Sequence, residues 1–215
     1  WPYPNKYFAL KAKNYCDQYT SEKKSFIKMQ GSLFFLITTE AASNYARTFW
    51  QHTGLGASSR QAAIDLNLEL SPDKNLVNEC KFKLIDRISS FTNTDPKLIY
   101  LTSSGMSALH TALETIYKIF PKRPTLQIGF PYVDVLKLPK NIFYGAHLIT
   151  EESIQDIELE IKRINPSALI IELPSNPLLK CTNIKKISKI ANDLKIPVIT
   201  AVSYTHLRAH ETYVH

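Results

Sequence analysis

The chain has 215 residues, of which 44% are hydrophobic and 21% charged, with a formal net charge of +7. That balance describes a soluble globular chain and excludes wholesale disorder. Its longest apolar stretch, Leu33–Ile37, falls far short of the roughly 18 residues a membrane span needs, and no basic-then-apolar leader opens the text, so a cytoplasmic protein without a membrane partner is expected.

Residues 1–32, with Pro2, Pro4 and many tyrosines in their first 28 positions, show no clean period and read as an irregular N-terminal arm. Leu33–Ile37 has strand length. Thr38 and Thr39 then cap a helix carrying Ala41, Ala42, Tyr45, Ala46 and Phe49. Gly54–Ser59 is a loop by composition, and the stretch from Pro72 to Asn75 opens a helix with Leu76, Cys80, Leu84, Ile85 and Ile88 at spacings of three and four. From Lys97 the text alternates. Leu98–Leu101 is strand-like, Ser104–Phe120 helical, Leu126–Ile128 a strand, and a short helix follows Pro131. Ile142–Ile149 reads as a strand, after which Thr150 caps a helix with Glu151 and Glu152 in its first turn and Asn165-Pro166 as its stop. Ala168–Ile171 is a continuous apolar strand, Asn183 caps a helix through Leu194, and Pro197–Ile199 closes the series. Apolar strands separated by helices of this length call for an α/β fold with a mostly parallel sheet covered on both faces.

Cys16, Cys80 and Cys181 are widely spaced, without a CxxC, and read as reduced packing residues. The lysines at 23–24, 81/83 and 185–186/189 lie on separate elements without interleaved aromatics, so a solvated face is expected and no nucleic-acid partner. The tail holds His206, His210 and His215, a spacing that invites a metal reading. Residues 202–212, VSYTHLRAHET, resemble a translation of the transposon-end adapter of sequencing libraries, so 201–215 is read as an artefactual tail and no metal site is expected.

Ligand sites in parallel sheets lie beyond the carboxyl ends of the strands. Three such loops are distinctive: Thr102-Ser-Ser-Gly105-Met106-Ser107, Gly129-Phe-Pro-Tyr132 and Glu172-Leu-Pro-Ser-Asn176-Pro177. The first runs into a helix whose N-terminal N–H groups suit a phosphate dianion, although for Ser-Ser-Gly taken alone a capped helix start is the favoured reading. The three motifs in this order resemble the Cys/Met-metabolism family of pyridoxal-phosphate enzymes, which includes cystathionine γ-synthase, γ-lyase and acylhomoserine sulfhydrylases. The resemblance runs through about 97–200 and more weakly back to Leu33.

It implies a fragment of the type I pyridoxal-phosphate transferase large domain over 97–200, preceded over 33–96 by a segment with a subunit-contact loop. It further implies that Ser104, Gly105 and Met106 hold the phosphate of pyridoxal 5′-phosphate, that Tyr132 stacks on the ring and serves as an acid/base group, that Asn176 meets the ring hydroxyl and that Glu172 orders its loop. Trp50–Arg60 matches in length the family's Tyr-x-Arg segment, which reaches a neighbouring subunit's phosphate. Here His52 and Gly54 stand at the Tyr and Arg positions, which leaves His52 between packing and cofactor contact and Arg60, Ser58 or Ser59 to take over the phosphate contact.

The reaction implied is a γ-replacement joining an O-acylhomoserine to cysteine to give cystathionine, in a homodimer or homotetramer acting on small amino-acid substrates. A sulfhydrylase, a γ-lyase and a non-catalytic paralogue acting as a regulatory or assembly subunit stay open. The family's Asp is expected at position 201, and no lysine stands in the family's Ser-x-x-Lys context, so the 215 residues alone are expected to be inactive.

Overall fold

The computed structural model describes residues 1–21, 24–150, 153–175 and 178–202. It divides into two compact units, Trp1–Ala108 and Leu109–His215. Among the described residues, no helix is long and apolar enough to cross a membrane.

The first unit contains β1 (Pro2–Tyr3), α1 (Lys6–Tyr19), β2 (Phe26–Gln30), β3 (Leu33–Ile37), α2 (Glu40–Thr53), α3 (Ser59–Asp65) and α4 (Lys74–Thr92). β3 lies between β1 and β2 in an antiparallel sheet, with Tyr3 opposite Phe34 and Gln30 opposite Leu33. The irregular arm expected over the first 28 residues is therefore corrected to a strand, a 14-residue helix and part of a hairpin. Asn5 caps α1 by accepting from the Phe8 N–H at 2.9 Å. The buried face of α1 is built from Ala9, Ala12, Tyr15 and Cys16. Three of those four side chains are small, so the helix has a core-facing stripe without the large apolar residues that make a period conspicuous. Tyr15 meets Phe49 of α2 at 5.5 Å between ring centres, and Tyr19 stacks on Tyr45 at 4.9 Å.

Thr39 stands at the N-cap of α2 as expected, without a side-chain capping bond, and Gly54, at the start of the expected loop, is its left-handed C-cap at φ +65°. α4 covers the expected apolar positions, but none of its residues is buried. The strand expected at Leu98–Leu101 is absent. Asp95 caps a short 3-10 turn, Pro96–Leu98, and Ile99 is extended without a ladder partner. Leu98 and Tyr100 are 67% and 82% exposed, so their strand propensity finds no sheet to satisfy.

The unit boundary falls inside α5 (Gly105–Ile119). The second unit continues with β4 (Thr125–Ile128), α6 (Val133–Ile142), β5 (Ala146–Ile149), α7 (Ile154–Ile164), β6 (Leu169–Glu172), α8 (Ile184–Asp193) and β7 (Val198–Ala201). The sheet is parallel throughout, in the order β5-β4-β6-β7. Parallel neighbours require crossovers, which the helices supply. Alternate residues Leu126, Ile128, Leu169 and Ile171 form a buried cluster with Ile157 and Ile161 of α7 and Ile187 and Ala191 of α8. Full burial of each large aliphatic chain is worth about 1.5–3 kcal/mol. Gln127 and Ile170, which point to the other face, are buried too.

Several boundaries differ from the sequence expectation. α6 continues to Ile142 and turns at Gly145, φ +100°, so β5 starts only at Ala146. Ser153, not Thr150, is the N-cap of α7; Glu151 and Glu152 lie outside the described residues. Asn183 caps α8, accepting from the Lys186 N–H at 3.2 Å. Ala201, set aside as part of the tail, is the last residue of β7 and pairs with Glu172. His206, His210 and His215 lie outside the described residues. The three cysteines are free thiols, but only Cys16 is buried; Cys80 and Cys181 are exposed rather than packed.

Candidate functional site

Two sets of groups stand where the sequence placed chemistry, one in each unit. In the first, the end of α2 and the start of α5 meet. Gly54 is close enough to α5 that a Cβ there would sit 2.6 Å from the Ser104 hydroxyl and 2.7 Å from the Ser107 nitrogen. The segment Trp50–Arg60 is held by its own unit: the Thr53 hydroxyl donates to the Phe49 carbonyl at 2.7 Å, Gly56 lies against the Trp50 indole, and the Ala57 N–H donates to Pro2 at 3.0 Å. His52 is 6% exposed on the last turn of α2, a packing environment. Arg60 is exposed on the first turn of α3, whose N-cap is Ser58.

At the start of α5 the Ser107 N–H donates to the Ser104 hydroxyl oxygen at 3.1 Å, and the Ser104 N–H donates to the Ser107 hydroxyl oxygen at 3.0 Å. This is a reciprocal cap of the Ser-x-x-Glu kind, with serine in the glutamate's place. Ser103 lies 3.2 Å from Ser107, hydroxyl to hydroxyl. The first intrahelical bond runs from Ala108 to Ser104, so the Gly105 and Met106 N–H groups precede any helical acceptor. No acidic residue occupies this first turn. A Cβ on Gly105 would meet nothing within 4 Å, so there is open space beside Gly105. Hydroxyls, N–H groups and the positive end of a helix dipole, without a carboxylate, fit a phosphate dianion.

In the second unit, β5 lies on one side of β4 and β6 on the other, so the β4/β6 boundary is a topological switch point. The loops after these strands converge there. Glu172, the last residue of β6 and 5% exposed, accepts the Tyr132 N–H at 2.6 Å. That bond fixes the Gly129–Tyr132 loop while the Tyr132 side chain stays 47% exposed. A hydrogen bond to Asp134, reinforced by that carboxylate's charge, holds the Tyr132 phenol above its ordinary value. The raised value makes this phenol a weaker acid than an ordinary tyrosine. A cavity of about 410 Å³ opens at these strand ends, lined by Gly129, Phe130, Thr150, Ser175, Cys181 and Thr182. Asn176 lies outside the described residues.

The sequence motifs contain Ser107 only as the end of Thr102–Ser107, and Asp134 in none of them. The Ser104-x-x-Ser107 spacing was a readable capping signal, and Asp134 is two residues from Tyr132; what no local signal offered was their partners.

No protein-family model matches the chain. It is 32% identical over 113 residues to a cystathionine γ-synthase of Neurospora crassa, a match covering 47% of this chain and 18% of that protein. It is 28% identical over 113 residues to a cystathionine γ-synthase-like enzyme, iboG2, of Amanita muscaria, again covering 47% and 18%. A 156-residue match at 26% identity, covering 66% of this chain, joins it to an L-2-amino-4-chloropent-4-enoate dechlorinase/desaturase of Streptantibioticus cattleyicolor, of which it covers 31%. The chain is thus similar to enzymes of cystathionine γ-synthase type, and it spans less than a third of the length of these relatives.

Proposed function

We propose that this chain is the cofactor-holding segment of a pyridoxal-phosphate enzyme that performs γ-replacement, joining an O-acylhomoserine to cysteine to give cystathionine. The observation that carries the cofactor reading is the acid-free, hydroxyl-rich start of α5 with open space at Gly105. Similarity to cystathionine γ-synthase supports the reaction.

The Gly105 and Met106 N–H groups donate to the phosphate, and the Ser104 hydroxyl lies beside them. Arg60, exposed on the first turn of α3, adds a cation. Tyr132 would offer its ring as a stacking face, while the hydrogen bond to Asp134 disfavours loss of its phenolic proton. Glu172 holds Tyr132 in place through the backbone N–H it accepts. The cofactor, when bound, supplies an electron sink for charge developing at the substrate's α-carbon.

Binding tests the site. Pyridoxal 5′-phosphate should bind more tightly than pyridoxal, with inorganic phosphate competing; equal affinity for the two would refute the phosphate seat. The thiol acceptor tests the reaction, assayed in a full-length protein containing this segment. Cysteine should be consumed with release of the acyl group, whereas turnover with sulfide alone would reassign the enzyme as a sulfhydrylase.

A further inference from the structure

Gly54 and the Ser104–Ser107 cap are fifty residues apart in sequence yet touch within the first unit. Two independent features of Gly54 matter. Its φ of +65° is the left-handed conformation that ends α2, and the place its Cβ would occupy is already filled by the Ser104 hydroxyl, the Ser107 nitrogen and, at 3.0 Å, the Met106 Cβ. Only one of these features is about helix termination. A left-handed C-cap accepts Asn at modest cost, but a Cβ of any kind collides with the cap of α5.

The collision falls on the atoms that choose which donors remain open. With the Ser104 hydroxyl held on the Ser107 N–H, the third N–H of α5 is satisfied internally, while the first two have no acceptor within the helix. If the hydroxyl is pushed aside, the Ser107 N–H loses its acceptor and the serines reorient within the cluster that also includes Ser103. The donor pattern offered to an anion then changes.

We propose that Gly54 is a positioning residue for the anion seat at the start of α5: its missing side chain lets the end of α2 close on Ser104 and Ser107, which fixes the Gly105 and Met106 N–H groups as the donors left without a helical acceptor. The inference rests on the phosphate reading given above. It assigns to this glycine, which stands where the resembling family carries an arginine, a steric role within its own chain.

The test measures affinities for pyridoxal 5′-phosphate and pyridoxal in the wild type, Gly54→Ala and Gly54→Asn, by intrinsic fluorescence, with inorganic phosphate as competitor. Both variants should lose about tenfold in the phosphate-dependent part of the affinity, the worth of roughly one charge-assisted hydrogen bond, while pyridoxal binding stays level. Asn tolerates positive φ, so rescue by Asn would show that backbone strain alone matters and would overturn the proposal. A phosphate preference unchanged in both variants would overturn it as well and leave the site intact. Absence of any phosphate preference in the wild type would remove the site and this role together. If Gly54→Ala does not fold, Gly54→Asn alone decides between these results.

Discussion

Replacing Glu172 by alanine removes the tie between two strand-end loops. Its carboxylate is 5% exposed and accepts the Tyr132 N–H at 2.6 Å, a short bond from a neutral donor to a charged acceptor. Such bonds contribute about 1.5–3 kcal/mol net. Because Tyr132 exchanges its amide proton through local opening, that loss should speed its hydrogen exchange by about 10- to 150-fold at roughly 1.4 kcal/mol per decade. Glu172→Gln keeps a neutral acceptor in the same place. Its acceleration should be smaller, about 5- to 12-fold, from the roughly 1–1.5 kcal/mol by which an uncharged bond falls short of a charge-assisted one. The amide of Gly129, in the same loop but bonded to the Ile149 carbonyl at 2.9 Å, is the internal control. Hydrogen exchange read residue by residue makes the comparison. The reasoning fails if the Tyr132 amide of Glu172→Ala exchanges at the wild-type rate, or if Gly129 accelerates equally, since the effect would then be a general loosening of the unit.

The Asp65 carboxyl lies below the ordinary 3.8 because Ser32 donates to it, first through its hydroxyl and then through its N–H, which lies 2.8 Å away in the β2–β3 turn. A lowered carboxyl stabilises above its unfolded pKa and loses that contribution as pH falls through the folded one. The difference in thermal midpoint between the wild type and Asp65→Ala should therefore be constant at neutral pH and close below about pH 3.8; a difference that persists into strong acid would contradict the assignment. Asp134→Asn should lower the Tyr132 phenol toward 10.0, seen as an earlier absorbance rise in an alkaline titration referenced to Tyr132→Phe. No difference between Asp134→Asn and the wild type would show that the phenol owes nothing to that carboxylate.

The elements legible in the sequence are those whose signal is local. Asn183 followed by Ile184 and Ile187 specifies both the cap and the buried face of α8. Gly54 ends α2 because only a residue at ease with positive φ stops a helix that way. α1 was hidden for an equally physical reason: a face of Ala9, Ala12 and Cys16 packs closely, yet its hydrophobic contrast is weak. Leu98–Leu101 misled in the opposite direction, since its apolar character suits a strand but a strand exists only when a neighbour accepts its hydrogen bonds. The Ser104-Gly105-Met106 seat was visible because one helix terminus makes it. The reciprocal cap through Ser107 shared that visibility, whereas the pressure of Gly54 upon it did not.

What the sequence by itself determined was the alternation of strand and helix from β4 to β7 and the chemistry of the residues at each strand end. Periodicity and capping act over a few residues, so they are written where they act. What only the tertiary structure decided was the order β5-β4-β6-β7, which lays the ends of β4 and β6 side by side and lets Glu172 reach the Tyr132 N–H across forty residues. Pairing of strands is a choice among distant partners, settled by which arrangement buries Leu126, Ile128, Leu169 and Ile171 together against α7 and α8, and no window of neighbouring residues contains that choice.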